Sequence, residues 1–226
     1  MARLPRLALA GHAHCVRQAT VHGQPLAVDA QDVKTLLQAV RELSMQYRVA
    51  VWAYALQPEA LDLVLCPEQA EGLGRFMQTL GRRYVQAFNR RHGRVGALWG
   101  GRYRAAVIES GEWLLAAIQH VEQPAWRAGW PSSAPHHLGQ SRDPTLMEAP
   151  VFWALGNTPF ERELAWRLRL EQGPDAGREV DLARAVHGAW AVGSPDFLAA
   201  LAASTGRPAR PRRPGRPRNP KPTGQT

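Results

Sequence analysis

The sequence is poor in cysteine, with only Cys15 and Cys66 among 226 residues, and poor in lysine, with 2 against 26 arginines. Two cysteines cannot build a disulfide framework and have no metal-ligand spacing, which fits a reducing compartment. Long apolar runs are missing too: no stretch approaches the ~18 residues of a membrane span. The opening MARLPRLALAGHAH is too short and too interrupted by Arg and His to read as a signal peptide. A cytoplasmic, nucleoid-associated bacterial protein without a membrane partner is the expectation. Acid is absent from two places. Residues 75–104 carry eight arginines and no Asp or Glu, and residues 204–226 carry six arginines, one lysine and no acid. The remainder holds 13 basic residues against all 19 acids, so the formal net charge of +9 is two basic patches on an acidic protein. Such local patches point to a polyanionic partner.

The 45% of apolar residues are enough for a real core. Residues 49–56 read as a strand and 61–65 as its neighbour after a Gln57-Pro58-Glu59 turn. Apolar residues at Val33, Leu36, Leu37, Val40 and Leu43 have helical spacing, with Asp29 as a cap. Leu73, Phe76, Met77, Leu80, Tyr84 and Phe88 form one stripe of a second helix over 70–91. A β segment over 102–109 and a short helix from Glu112 to Val121 follow, and His12–His14 falls on a first strand. The expected fold class is α+β, a ferredoxin-like antiparallel sheet with helices on one face, over residues 1–130.

Residues 131–157, rich in Pro, Ser and His around 130–150, read as a connector. Residues 158–205 read as a helical region. Thr158-Pro159-Phe160-Glu161 is a capping box with Pro at the first helical position, and helices are expected to about Glu171, over 181–187 and over 194–203. With Gly188 and Gly193 between the last two, the region fits either a small bundle or a helix-turn-helix. Residues 206–226 have too little apolar content to fold and read as a disordered basic tail. Within it, Arg213, Arg216 and Arg218 surround a Gly-Arg-Pro core of the kind that enters the narrow minor groove of A·T tracts.

The segment from Leu80 to Arg104 carries the clearest chemistry. Arg82, Arg83, Arg90, Arg91, Arg102 and Arg104 can grip phosphates, while Trp99 and Tyr103 offer faces on which unpaired bases stack. Tyr84, Phe88 and Trp99 are equally suited to a core. If all six arginines contact phosphates, affinity falls with salt at a log–log slope of about −5.

This block, GRRYVQAFNRRHGRVGALWGGRYRA, closely resembles the central block of the REP-associated tyrosine transposases, within the HUH single-strand transposase superfamily. YALQPEALDLVLCP at 54–67, HVEQPAWRAGW at 120–130, LGNTPFERE at 155–163, GSPDF at 193–197 and the GRPR of the tail agree in order. The resemblance implies a ferredoxin-like domain, often a homodimer, that recognises hairpin-forming single-stranded DNA. It also implies DNA cleavage by a tyrosine nucleophile beside a divalent metal, Mg or Mn.

Two histidines one residue apart on a strand share a face and can bind one metal. The metal polarises the phosphate that a helix-borne tyrosine attacks. At the positions this resemblance assigns to that chemistry, the chain has Ala60 and Asp62 for the histidine pair, His120 for the tyrosine, and Pro124 for a polar residue one turn on. Alanine offers a metal no lone pair, and a phosphohistidine is labile. No catalytic residue is intact, and no cofactor is expected. Asp62 and His14 are the remaining metal candidates, and Glu59, Asp62 and Glu122 follow no hydrolytic spacing. Three readings stand at this point. The first is a transposase-like DNA-binding protein with lost or impaired cleavage. The second is an active strand-transferase with a rearranged site. The third is a duplex-DNA regulator using the C-terminal helices and tail.

Overall fold

A computed structural model of the chain describes residues 7–209. Five strands form one sheet in the order β2-β3-β1-β4-β5: β1 (Ala13–Ala19), β2 (Val49–Gln57), β3 (Ala60–Pro67), β4 (Arg104–Ile108) and β5 (Ala191–Val192). The first four pair antiparallel, and β5 joins β4 in parallel through Val107–Ala191 and Ile108–Val192. The sheet is therefore mixed, and the class is α+β as expected.

Helix α1 (Ala30–Tyr47) starts where the Asp29 carboxylate accepts from the backbone N–H groups of Gln31 and Asp32, satisfying donors that the first turn leaves free. Helix α2 (Ala70–Arg91) buries the expected stripe from Leu73 to Phe88. Both pack on the sheet face formed by Val16, Val51, Leu61, Leu63, Leu65 and Ala105.

Helices are not confined to that face. Helix α3 (Glu112–Ala128) covers the other one, against Cys15, Ala53, Ala55, Val64, Ala106 and Ile108. It runs seven residues past the expected end at Val121. Pro124 costs it one N–H, the donor to the His120 carbonyl, but Val121 and Ala125 stay buried on either side and Gly129, at φ +69, closes the helix.

The expected connector is packed rather than open. It contains the short helix α4 (Ala134–His137) and a 3-10 turn (Pro150–Leu155). Helix α5 (Pro159–Gln172) opens with the Thr158–Glu161 capping box, and α6 (Ala176–Gly188) and α7 (Pro195–Thr205) follow. Trp166, Leu170, Leu182, Ala185 and Val186 share the core of α3, while Leu198 and Leu201 pack with Leu7 and Val107. Helices α6 and α7 are joined through β5, inside the sheet, and not by a tight turn of the kind that links a helix-turn-helix pair.

One buried carboxylate ties the later segments to α3. Glu122, fully buried, accepts from the Ser133 hydroxyl and, at 2.9 Å, from Trp166 Nε1, and lies 2.6 Å from His137 Nδ1. The His137 ring stacks on Phe152 with centroids 4.4 Å apart. A buried charge needs such company, because unpaired it costs several kcal/mol, on the order of 3–5.

Candidate nucleic-acid interface

Two neighbouring hollows collect the residues singled out above. The first is a groove of about 940 Å³ between the outer face of α2 and residues 97–103, lined among others by Arg75, Arg82, Trp99, Arg102 and Tyr103. Trp99 is fixed from below: its Nε1–H donates to the Gly81 carbonyl at 3.1 Å, and its ring lies 6.1 Å from that of Tyr84. Residues 98–100 are laced to the end of β1 by Val21 N–H to Leu98 O (2.8 Å) and Gly100 N–H to Ala19 O (3.0 Å). The approach is close enough to demand glycine. A Cβ on Gly100 would stand 2.6 Å from the Thr20 carbonyl oxygen, and Gly101 sits at φ +149.

The arginines divide by what they touch. Arg82, Arg90 and Arg102 are exposed. Arg83 pairs with Glu42 at 2.5 Å. Arg91 is bound by Asp29 at 2.6 Å and Asp32 at 2.5 Å, so it ties the end of α2 to the start of α1. That contact holds the Asp29 carboxyl well below the usual carboxylate range. Arg104 donates to the His187 backbone carbonyl. Of the aromatics, Tyr84 and Phe88 are core, Tyr84 donating its hydroxyl to Leu26 O at 2.6 Å; Trp99 and Tyr103 are half-buried at the groove. Arg213, Arg216 and Arg218 lie outside the described residues.

The second hollow, of about 500 Å³, lies on the α3 side and is lined by Arg17, Thr20, Arg102, Arg104, His120 and His187, among others. Here positions far apart in sequence meet. Asp62 on β3 faces Arg17 across the β1–β3 register and accepts from Arg17 Nη1 at 2.7 Å and Gln57 Nε2 at 2.8 Å. Burial pushes the Asp62 carboxyl upward, while the nearby charges of Arg17 and His120 pull it back down. His120 Nδ1 lies 2.6 Å from Glu179 Oε1, contributed by α6. Ala60 is buried, and Pro124 is exposed one turn beyond His120.

This donor set does not fit a divalent metal. Ala60 has no donor atom, Asp62 is taken by a guanidinium and His120 by a carboxylate. Among the described residues, no group of three or more His, Cys, Asp or Glu side chains is arranged to hold a metal. His14 does not rescue it. Its Nδ1 meets the His12 carbonyl at 2.8 Å and its Nε2 accepts from Leu9 N–H at 3.2 Å, so neither nitrogen has a lone pair to spare. His14 also points to the face opposite Asp62, as its register partner Leu65 does. Glu122 is spent on its buried partners and Glu59 is exposed.

Reasoning from the sequence did not single out Arg17, Gln57 or Glu179. For Arg17 a signal existed: a charge inside the otherwise buried run Ala13–Gln18 needs a partner.

No protein-family model matches the sequence, and no curated protein matches it. Among solved structures, the REP-associated tyrosine transposase bound to a REP hairpin is similar, with a TM-score of 0.49 at 14% identity, over 67% of this chain and 93% of that one. A transposase candidate from Deinococcus radiodurans R1 gives 0.38 at 19% identity, over 54% and 97%. A bacterial tRNA(His) guanylyltransferase-like protein in complex with GTP gives 0.39 at 12%, over 53% and 64%. At such values the likeness fixes neither family nor activity, and function rests on this chain's own residues. No helix among the described residues is long and apolar enough to cross a membrane.

Proposed function

We propose that the chain is a transposase-derived DNA-binding protein that holds hairpin-forming single strands and has lost strand cleavage. The observation that carries this reading is convergence. The resemblance assigns nucleophile and metal-ligand roles to positions 120 and 62, on different elements, and His120 and Asp62 stand close on one face of the sheet. The place of the chemistry is kept, but its occupants are an Arg17–Asp62 pair and a His120–Glu179 pair. Neither pair can supply a tyrosine adduct or a metal-polarised phosphate. Beside it, the groove of Arg82, Arg102, Trp99 and Tyr103 retains what single-strand binding needs: cations for the backbone and ring faces for the bases.

Arg75, Arg82, Arg90 and Arg102 are exposed, whereas Arg83, Arg91 and Arg104 are engaged by Glu42, by Asp29 and Asp32, and by the His187 carbonyl. Four phosphate contacts to a single strand give a log–log salt slope of roughly −3, shallower than the −5 read from the sequence. Fluorescence anisotropy of a labelled hairpin oligonucleotide across a salt series measures it, and a slope near zero rejects the reading. Cleavage is tested on the same DNA with Mg²⁺ or Mn²⁺. The wild type should give no product. Ala60→His, Asp62→His, His120→Tyr and Pro124→Asn together, with Glu179→Ala to clear the new tyrosine, should restore a nick or a covalent adduct. Product from the wild type would favour an active strand-transferase instead.

A further inference from the structure

We infer that the hollow beside Asp62 binds a phosphate group without a divalent metal, the Arg17 guanidinium standing where a cation would. The inference deepens the reading just given, and its DNA arm rests on that reading.

Arg17 is anchored at one edge and open at the other. Its Nη1 is pinned to Asp62, whose side chain is 6% exposed, while the Arg17 side chain itself is 41% exposed and lines the hollow. A guanidinium has five N–H donors in a rigid fork, so one carboxylate below does not exhaust it. The buried acid orients the fork, a second, longer bond runs from Nη2 to Gln57 Oε1 at 3.4 Å, and the donors beyond these two face the cavity, where charge-assisted bonds to phosphate oxygens are the strong kind. Arg102 and Arg104 border the same space, Arg104 steadied by the His187 carbonyl, and His120 faces it with Nδ1 committed to Glu179.

The charged groups around this space are therefore Arg17, Arg102 and Arg104 against Asp62 and Glu179, with His120 and His187 beside them. Both acids are already engaged by Arg17 and His120. What is left over is cationic, which selects an anion. The volume, about 500 Å³, suits a nucleotide-sized group. The hollow shares Gln18, Gly101 and Arg102 with the basic groove over α2, which selects phosphate: a strand lying in the groove brings its backbone to this opening.

The phosphate can come from a free anion or from the strand itself, and the experiment separates the two. Full-length protein is titrated calorimetrically with inorganic phosphate, and separately with a labelled single-stranded oligonucleotide followed by anisotropy, each in EDTA and in Mg²⁺. The key variant is Arg17→Gln with Asp62→Asn, which removes both charges together and leaves no buried orphan. Arg17→Lys is the second, keeping the ion pair but losing the fork. Arg41→Ala, exposed on α1 and outside both hollows, is the control.

Expected are equal affinities in EDTA and Mg²⁺, a loss of tenfold or more in the double variant, a smaller loss in Arg17→Lys, and no loss in Arg41→Ala. Loss in the phosphate titration identifies a free-anion site. Loss confined to the oligonucleotide identifies a strand phosphate. Binding only with Mg²⁺, or unchanged binding of both probes in the double variant and in Arg17→Lys, overturns the inference. Oligonucleotide binding that survives both substitutions, with phosphate binding also unchanged, leaves the DNA reading standing while the phosphate site falls. Phosphate binding without any oligonucleotide binding does the reverse.

Discussion

Leu61, Leu63 and Leu65 point from β3 toward α1 and α2, whereas Ala60, Asp62 and Val64 alternate to the side of α3. The same contrast runs across the whole sheet. The first side is closed by Leu36, Leu43, Leu73, Phe76 and Leu80, large side chains that pack around few buried polar groups, among them His14 and the Tyr84 hydroxyl. The second is lined by alanines, at 13, 53, 55, 106, 116, 117 and 125, with Trp166 and Phe152 filling the larger gaps. Small residues let helices approach the sheet and leave space that polar groups occupy: Asp62, His120, Glu122, His137. The large-residue side holds the fold together and carries the basic groove on the outside of α2, while the small-residue side carries the buried charged pairs and the second hollow.

Substitutions on the two sides break or sharpen that contrast. The largest effect is expected at Trp166→Ala, which opens a cavity and strips an N–H from the buried Glu122. Denaturant unfolding should show a loss of about 3–5 kcal/mol, and Trp166→Phe, which keeps the ring but not the donor, about 1–3 kcal/mol. If Trp166→Phe costs nothing, the carboxylate is not what secures α5.

Next comes a pH effect from the large-residue side. Burial lowers the His14 pKa from 6.5 to about 4. The unfolded chain therefore binds a proton below pH 6.5 that the folded chain refuses until about pH 4. Stability from this group is complete above pH 6.5 and is lost as pH falls toward 4, by about 3 kcal/mol in all. Urea melts at several pH values should show that loss in the wild type and not in His14→Gln.

Smaller still, Thr158→Ala removes the cap of α5 and should cost about 1 kcal/mol. Smallest in stability, but decisive for the interface, are single alanine substitutions at Arg82 and Arg102. Each should leave the melt unchanged and reduce the steepness of the salt slope by about 0.7. Arg91→Ala should do the opposite, weakening the α1–α2 tie while leaving the slope as it was. A changed slope in Arg91→Ala would mean that its bonds to Asp29 and Asp32 do not keep it from the DNA.

Much of this was legible where the signal is local. The Asp29 cap, the stripe from Leu73 to Phe88, the strand pair around Pro58 and the Thr158 capping box each lie within one element, and periodicity or capping chemistry fixes them. What was not legible depends on meetings between distant segments. β5 is two residues long, too short for any alternation to announce it. Glu179 reaches His120 from 59 residues away, and no spacing encodes that. Arg83, Arg91 and Arg104 look like Arg82 in sequence, and only the positions of Glu42, Asp32 and the His187 carbonyl set them apart as engaged by the protein itself. The resemblance points to positions 62 and 120, but the residues that satisfy Asp62 and His120, Arg17 and Glu179, had to be seen in place.

The wall formed by Gln18, Gly101 and Arg102 belongs to both hollows, and a shared wall means linkage. An occupant that draws Arg102 toward one opening alters the charge presented to the other. Thermodynamics then requires that each ligand change the other's affinity by the same factor. Gly101, at φ +149, is the point at which that wall is held. A side chain there would be strained at that φ, so the wall common to both hollows is one that glycine alone forms without cost.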